Sequence, residues 1–176
     1  MPNATTPGDP AAHHMPRRIE IWLPILIVVI DQITKAMVRA RLPLYASRTI
    51  IPGFMDFTHV RNSGIAYGFL QGVEFPFKTV IIAMIAATAM ISVGIYAAGL
   101  ARHKLVARIG LALIIGGAAG NLIDRVIAGS VVDFVDVYWR TWHFWVFNVA
   151  DSAISVGVAA MIVDMLGLGT HVSKTA

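Results

Sequence analysis

The sequence predicts a membrane protein of the all-α class, a bundle of four spanning helices with short strands in its first outer loop. Three observations predict it. Apolar residues make up 57% of the 176 and charged ones only 14%, the mean hydropathy is +0.71, and stretches long and apolar enough to cross a bilayer recur along the chain. Soluble domains carry about 25% charged residues, so an ordinary cytosolic enzyme and a disordered interaction tail are both excluded. The chain has no cysteine, which removes disulfides, thiolate metal sites, cysteine nucleophiles and a lipidated N-terminal cysteine. A net charge of +4 fits positive flanks on one side of a membrane better than nucleic-acid binding.

The clearest span lies between Lys78 and Arg102, where Thr79 to Ala101 is uncharged and long enough at 1.5 Å per residue to cross about 30 Å of hydrocarbon. The four spans are placed at about 19–40, 77–100, 105–126 and 144–166. Each of the other three contains an ionisable residue that a simple anchor would not carry. Glu74 and Pro76 mark a helix start, Gly167 and Gly169 mark the end of the fourth span, and Pro24 lies inside the first. Residues 17–168 form a single membrane domain between a disordered tail at 1–16, rich in proline, and a second tail at 169–176. The first span reads as an uncleaved anchor, because Asp31 and Lys35 interrupt any signal-peptide core.

Arg17 and Arg18 precede span one, Arg102, Lys104 and Arg108 join spans two and three, and Lys174 follows span four. Both termini are therefore expected in the cytoplasm. Arg39, Arg41, Arg48 and Arg61 are assigned to the first outer loop, where charge weighs less. Within that loop, Thr49 to Ile51, Phe54 to Val60 and Ile65 to Phe69 are separated by Pro52-Gly53 and Asn62-Ser63-Gly64, the pattern of strands and turns. In the last loop Trp139, Trp142 and Trp145 fall at three-residue spacing, read as an interfacial belt or short surface helix.

Placed by depth, the polar residues converge on the outer side. Asp31 and Lys35 lie in the outward half of span one, Asn121, Asp124 and Arg125 at the outer end of span three, Asp133 just beyond it, and Asn148 and Asp151 four and seven residues into span four. Asp31 and Lys35 form an i, i+4 pair that neutralises itself. Asp124 and Arg125 are neighbours that cannot face each other, so each ties span three to another element. Gly116, Gly117 and Gly120 form a small-residue surface for helix packing. Asp136 is read as a solvated loop residue, and Asp164 as reaching the interface at the inner end. Asp133 and Asp151 have no sequence-local cation. Two buried carboxyls sharing a site hold one proton between them, which suits either hydrolysis, with one member activating water and the other polarising a carbonyl, or a proton pathway. His59 and His143 lack a second ligand at metal-site spacing, and Ser63, Ser130 and Ser152 lack a nucleophile context, so no metal or organic cofactor is expected.

Five blocks in order carry a family resemblance: Asp31-Gln32-Ile33-Thr34-Lys35, Asn62-Ser63-Gly64-Ile65-Ala66-Tyr67, Gly116 to Arg125, Val131-Val132-Asp133-Phe134, and Phe147-Asn148-Val149-Ala150-Asp151-Ser152. Over about residues 20–165 the chain resembles the lipoprotein signal peptidases, or signal peptidase II. The resemblance implies a bacterial inner-membrane aspartyl endopeptidase that removes the signal peptide from diacylglyceryl prolipoproteins, with Asp133 and Asp151 catalytic. It places Asp31, Lys35, Asn62, Gly64, Gly116, Asn121, Asp124, Arg125, Asn148 and Ala150 around them as supporting or substrate-positioning residues. It further implies a small periplasmic β-sheet cradle over about 43–72, a short periplasmic helix over about 134–143, and a groove open to globomycin-type cyclic peptides. A monomer in contact with membrane lipid is expected, without nucleic acid. Tyr67, where the family often has Phe, and the longer N-terminus are departures outside the proposed chemistry. The alternative is a small proton-coupled transporter or channel component, which would need polar groups on the inner side where only Asp164 is available.

Overall fold

A computed structural model describes residues 18–64, 73, 75–101 and 103–167. Helix α1 (Arg18–Arg41) leads to the hairpin β1 (Ser47–Ile51) and β2 (Met55–Asn62), then α2 (Lys78–Ala98), α3 (Leu105–Ala128), β3 (Val131–Trp139), β4 (Trp142–His143) and α4 (Val149–Met165). Three helices, α1 to α3, are long and apolar enough to cross a membrane. The two tails, Tyr67, the expected third strand at Ile65 to Phe69, Glu74 and Arg102 lie outside the described residues.

The helices run up and down. Lys104 before α3 pairs with Asp164 near the end of α4, and Arg108 in the first turn of α3 pairs with Glu20 in the first turn of α1. So α1 and α3 are parallel, and α4 returns against them. Asp164 is buried in that pair instead of reaching out to an interface. Glycines set the closest approaches. A Cβ on Gly110 would lie 2.8 Å from the Gly157 carbonyl oxygen, and one on Gly117 would meet the Ala150 carbonyl. These contacts bring α3 and α4 together backbone to backbone. On the opposite side, Gly116 packs on Pro24 and Ile27 of α1. By contrast α2 leans on α3, and only 6% of its most apolar window is buried in protein; its exposed Ile81, Met84, Ile85, Ile91 and Ile95 are the residues a lipid-facing helix requires.

At the other end of the bundle, a four-stranded antiparallel sheet has the order β1-β2-β3-β4. Its inner part packs Val132 and Phe134 on Val38 of α1, with Leu42, Phe57, Val135 and Val149 around them. The turn that makes this possible is at Gly129. It ends α3 in the left-handed region at φ +72°, its N–H donating to the Arg125 carbonyl, a conformation glycine adopts without a Cβ penalty.

Four expectations are corrected here. The short helix over 134–143 is instead β3, a turn at Arg140 and β4, with Trp139 and Trp142 paired across the hairpin. Seven of the nine β3 residues are Val, Phe, Tyr or Trp, types that favour a pleated surface. The fourth helix begins at Val149 and not near 144, because Phe147 is held in extended form by hydrogen bonds with Val135. Arg39 and Arg41 belong to the last turn of α1, not to a loop. Asp136 is largely covered, its carboxylate 3.0 Å from the His143 Nδ1 atom.

Candidate active site

Where α1, α3, α4 and the sheet meet, their polar side chains form one connected network. Asn148 stands at its centre. It is the N-cap of α4, its side-chain Oδ1 accepting from the Asp151 backbone N–H at 2.9 Å, while the Asp151 carboxylate accepts from the Asn148 backbone N–H at 3.2 Å. This reciprocal capping box satisfies two helix-terminal donors and fixes both side chains. The other end of the Asn148 amide donates to Asp133 Oδ1 at 2.7 Å. One buried amide therefore links the aspartate on β3 to the aspartate in the first turn of α4.

Each carboxylate has a second donor. Asn62, at the end of β2, donates to Asp133 Oδ2 at 3.0 Å and accepts from the Gly64 N–H at 2.9 Å. Asn121 of α3 donates to Asp151 Oδ1 at 2.7 Å. The Asn121 oxygen in turn accepts from Lys35 at 2.9 Å. Every oxygen of the pair thus carries one N–H donor and keeps a lone pair for water, a proton or substrate. Asp133 is held well above the ordinary carboxylate range, at about 7, by burial first and by the Asp151 charge second; the two amides and Lys35 pull the other way.

Lys35 is fully buried and uses all three of its protons, on Asp31 at 2.8 Å, Asp124 at 3.0 Å and Asn121. Asp31 does more than neutralise Lys35. Its second oxygen accepts from the Ala150 N–H at 3.0 Å, the next unsatisfied donor of the α4 N-terminus, while the oxygen paired with Lys35 sits against Gly120, where a Cβ would lie 2.7 Å from it. Asp124 also takes Arg39 at 2.7 Å. Arg125 turns the other way, its guanidinium donating to the Gly64 carbonyl at 2.9 Å and pinning the Asn62 turn against α3.

Of the residues singled out in the sequence, Asp31, Lys35, Asn62, Gly64, Asn121, Asp124, Arg125, Asp133, Asn148, Ala150 and Asp151 all come together, whereas Gly116 stands apart as a helix-packing residue. Two members were missed. Arg39 is four residues after Lys35, so the i, i+4 repeat Asp31-Lys35-Arg39 was available as a signal. Gln32, which donates to the Gly120 carbonyl at 3.1 Å, stood inside the Asp31 to Lys35 block but was not singled out. Asn148 and Asp151 are the cap and third residue of their helix, not positions four and seven residues deep. Among the described residues no group of three or more His, Asp or Glu has metal-site geometry.

Residues 23–167 match the family model described as signal peptidase (SPase) II. The lipoprotein signal peptidase of Geobacter metallireducens is 45% identical over 139 residues, covering 79% of this chain and 85% of that protein. That of Pseudomonas putida is 38% identical over 159 residues, covering 89% and 92%. A bacterial membrane enzyme solved at 2.3 Å by the in meso method superposes with a TM-score of 0.77 at 30% identity, covering 89% of this chain and 93% of that one. A second, solved at 1.9 Å, gives 0.72 at 32% identity, with 84% and 92% covered. A peptidase and not a transporter is the class these matches select, and the chain belongs to the signal peptidase II family.

Proposed function

We propose that this protein is an intramembrane aspartic endopeptidase that cuts the signal peptide from diacylglyceryl prolipoproteins, using Asp133 and Asp151 as one catalytic unit. The observation that carries the reading is the Asn148 bridge, a single residue whose side-chain amide donates to the Asp133 carboxylate and whose backbone N–H donates to the Asp151 carboxylate. All four helices span the bacterial inner membrane, both termini are cytoplasmic, and the sheet covers the periplasmic face. A substrate whose acyl chains stay in the bilayer is cut at the depth of the dyad, where water enters from the periplasm and lipid from the side.

The pair acts while it holds one proton. Its ionised member takes a proton from water as the oxygen attacks the scissile carbonyl, and its protonated member hydrogen-bonds the carbonyl oxygen as charge builds there. Collapse of the tetrahedral intermediate breaks the C–N bond, with the proton passing to the leaving amine. Asn148, Asn121 and Asn62 need not move, being already bonded to the carboxylates. Asp31, Lys35, Asp124 and Arg125 hold that frame. Cyclic peptides of the globomycin type occupy the same groove, and a monomer suffices.

The test uses purified protein with a diacylglyceryl prolipoprotein and the same precursor without its lipid. Cleavage of the lipidated form alone, insensitive to chelators, is expected. Equal cleavage of both, or loss with a chelator and recovery with zinc, would sink the proposal.

A further inference from the structure

Arg39 stands outside the proposed chemistry, yet it completes the charge array behind the dyad. One face of α1 presents Asp31, Lys35 and Arg39 at four-residue spacing. Asp124 of α3 meets the last two, taking Lys35 on Oδ2 at 3.0 Å and the Arg39 Nη2 on Oδ1 at 2.7 Å, while Asp31 takes Lys35 at 2.8 Å. Two carboxylates thus meet two cations, and this frame is neutral. Asp31, Lys35 and Asp124 are buried, whereas Arg39 is about one-third exposed. It is the member whose charge can be removed without opening the core.

We propose that Arg39 is a positioning residue of the reaction: by neutralising Asp124 it sets the pH range over which Asp133 and Asp151 together hold a single proton. The inference rests on the dyad reading above. Two short routes join Asp124 to the pair. Lys35 runs from Asp124 to Asn121 at 2.9 Å, and Asn121 donates to Asp151 at 2.7 Å. On the other side, Asp124 Oδ2 accepts from the Val132 N–H at 3.4 Å, one residue before Asp133. The Lys35 charge already favours the ionised form of Asp133, so charge in the frame is felt at the dyad. Without Arg39, Asp124 leaves one uncompensated negative charge in a poorly solvated array, and a like charge opposes ionisation of the pair. The pair then keeps its proton to higher pH, and gains its second proton sooner on acidification. The remaining groups around it are unaltered: Arg125 of α3 on the Gly64 carbonyl, Asn148 of α4 and Asn62 of β2 on Asp133, His59 of β2 on the Leu42 carbonyl, exposed Arg61 on the same strand, and Lys78 of α2 on Ser63.

The test compares the parent, Arg39→Gln and Arg39→Lys in neutral detergent from about pH 5 to pH 9, by cleavage of a diacylglyceryl prolipoprotein and by thermal unfolding. Arg39→Gln keeps an N–H for Asp124 but not the charge, and should move both limbs of the activity profile up by about half a pH unit, the exposure of Arg39 limiting the shift. Arg39→Lys keeps the charge and should leave both limbs in place. In unfolding, the Tm of Arg39→Gln relative to the parent should fall between about pH 6 and pH 9, because the variant penalises only ionised Asp133; the fall should vanish when Asp133→Asn is present in both proteins. A Tm difference independent of pH, or an equal shift of the limbs in Arg39→Lys, overturns the proposal. Limbs that stay in place while the Tm difference follows pH uphold the charge coupling and sink the dyad reading.

Discussion

Asp133 lies between two amide donors and a second carboxylate, and its protonation sets what the site can do. Its ordinary value of 3.8 is raised to about 7, so between those values the folded protein holds a proton the unfolded chain has lost. Stability from this group is full below about pH 4, and falls as pH rises to 7. Turnover should decline with the same proton, above about pH 7. Asp133→Asn should abolish cleavage, and its Tm relative to the parent should improve between pH 5 and pH 8, read by thermal unfolding; a difference independent of pH contradicts this assignment. Asp151→Asn should be equally inactive and still folded, and Asp136→Asn nearly silent. Asp124→Asn should instead retain partial activity while losing stability, by about 3 kcal/mol, since Arg39 loses its carboxylate and Lys35 keeps only Asp31 as a counter-charge. Nearly all of these residues were legible in the sequence because ionisable groups in an apolar chain are rare. The supporting amides Asn62, Asn121 and Asn148 were legible through the family blocks, but which amide holds which carboxylate was not, since an amide bridging two aspartates has no one-dimensional signature.

Elements were read unevenly, and for physical reasons. Hydropathy located α1, α2 and α3 within a few residues, since a lipid-facing helix must be apolar along its length. It failed at α4, where Phe144 to Phe147 continue the apolar run although they are extended; the true signal was Asn148 followed by Asp151 three residues on, a capping pair. Tryptophan spacing misled in the outer loop, where Trp139 and Trp142 face each other across a hairpin. The α3–α4 contact is the element-scale prediction. Gly117→Ala drives a methyl into the Ala150 carbonyl, so the helices must part. Unfolding should cost about 1–3 kcal/mol less, and activity should fall because the α4 cap moves with Ala150. Gly129→Ala, with open space but φ +72°, should destabilise by about 1 kcal/mol and spare the dyad.

For the whole molecule, the topology can be read with single cysteines, since the chain has none of its own. Cysteine at 141, in the β3–β4 turn, should label with a membrane-impermeant reagent from outside, and cysteine at 103 only after permeabilisation; strong outside labelling at 103 inverts the orientation. The up-down bundle separates two regions, with the buried carboxylate network under the sheet and ion-paired helix ends at the far side. The capping box of α4 also has a consequence for biogenesis. The carboxylate proposed for catalysis closes the first turn of α4, and Asp31 and Gly117 dock that turn from helices made earlier. A chain halted before α4 therefore has Asp133 without its partner, and a chain whose α4 is threaded but undocked has the two carboxylates held apart, Asp133 by Asn62 and Asp151 by its own cap. On the proposed mechanism, cleavage therefore requires α4 to be inserted and docked, and not only the β3 carboxylate to be folded.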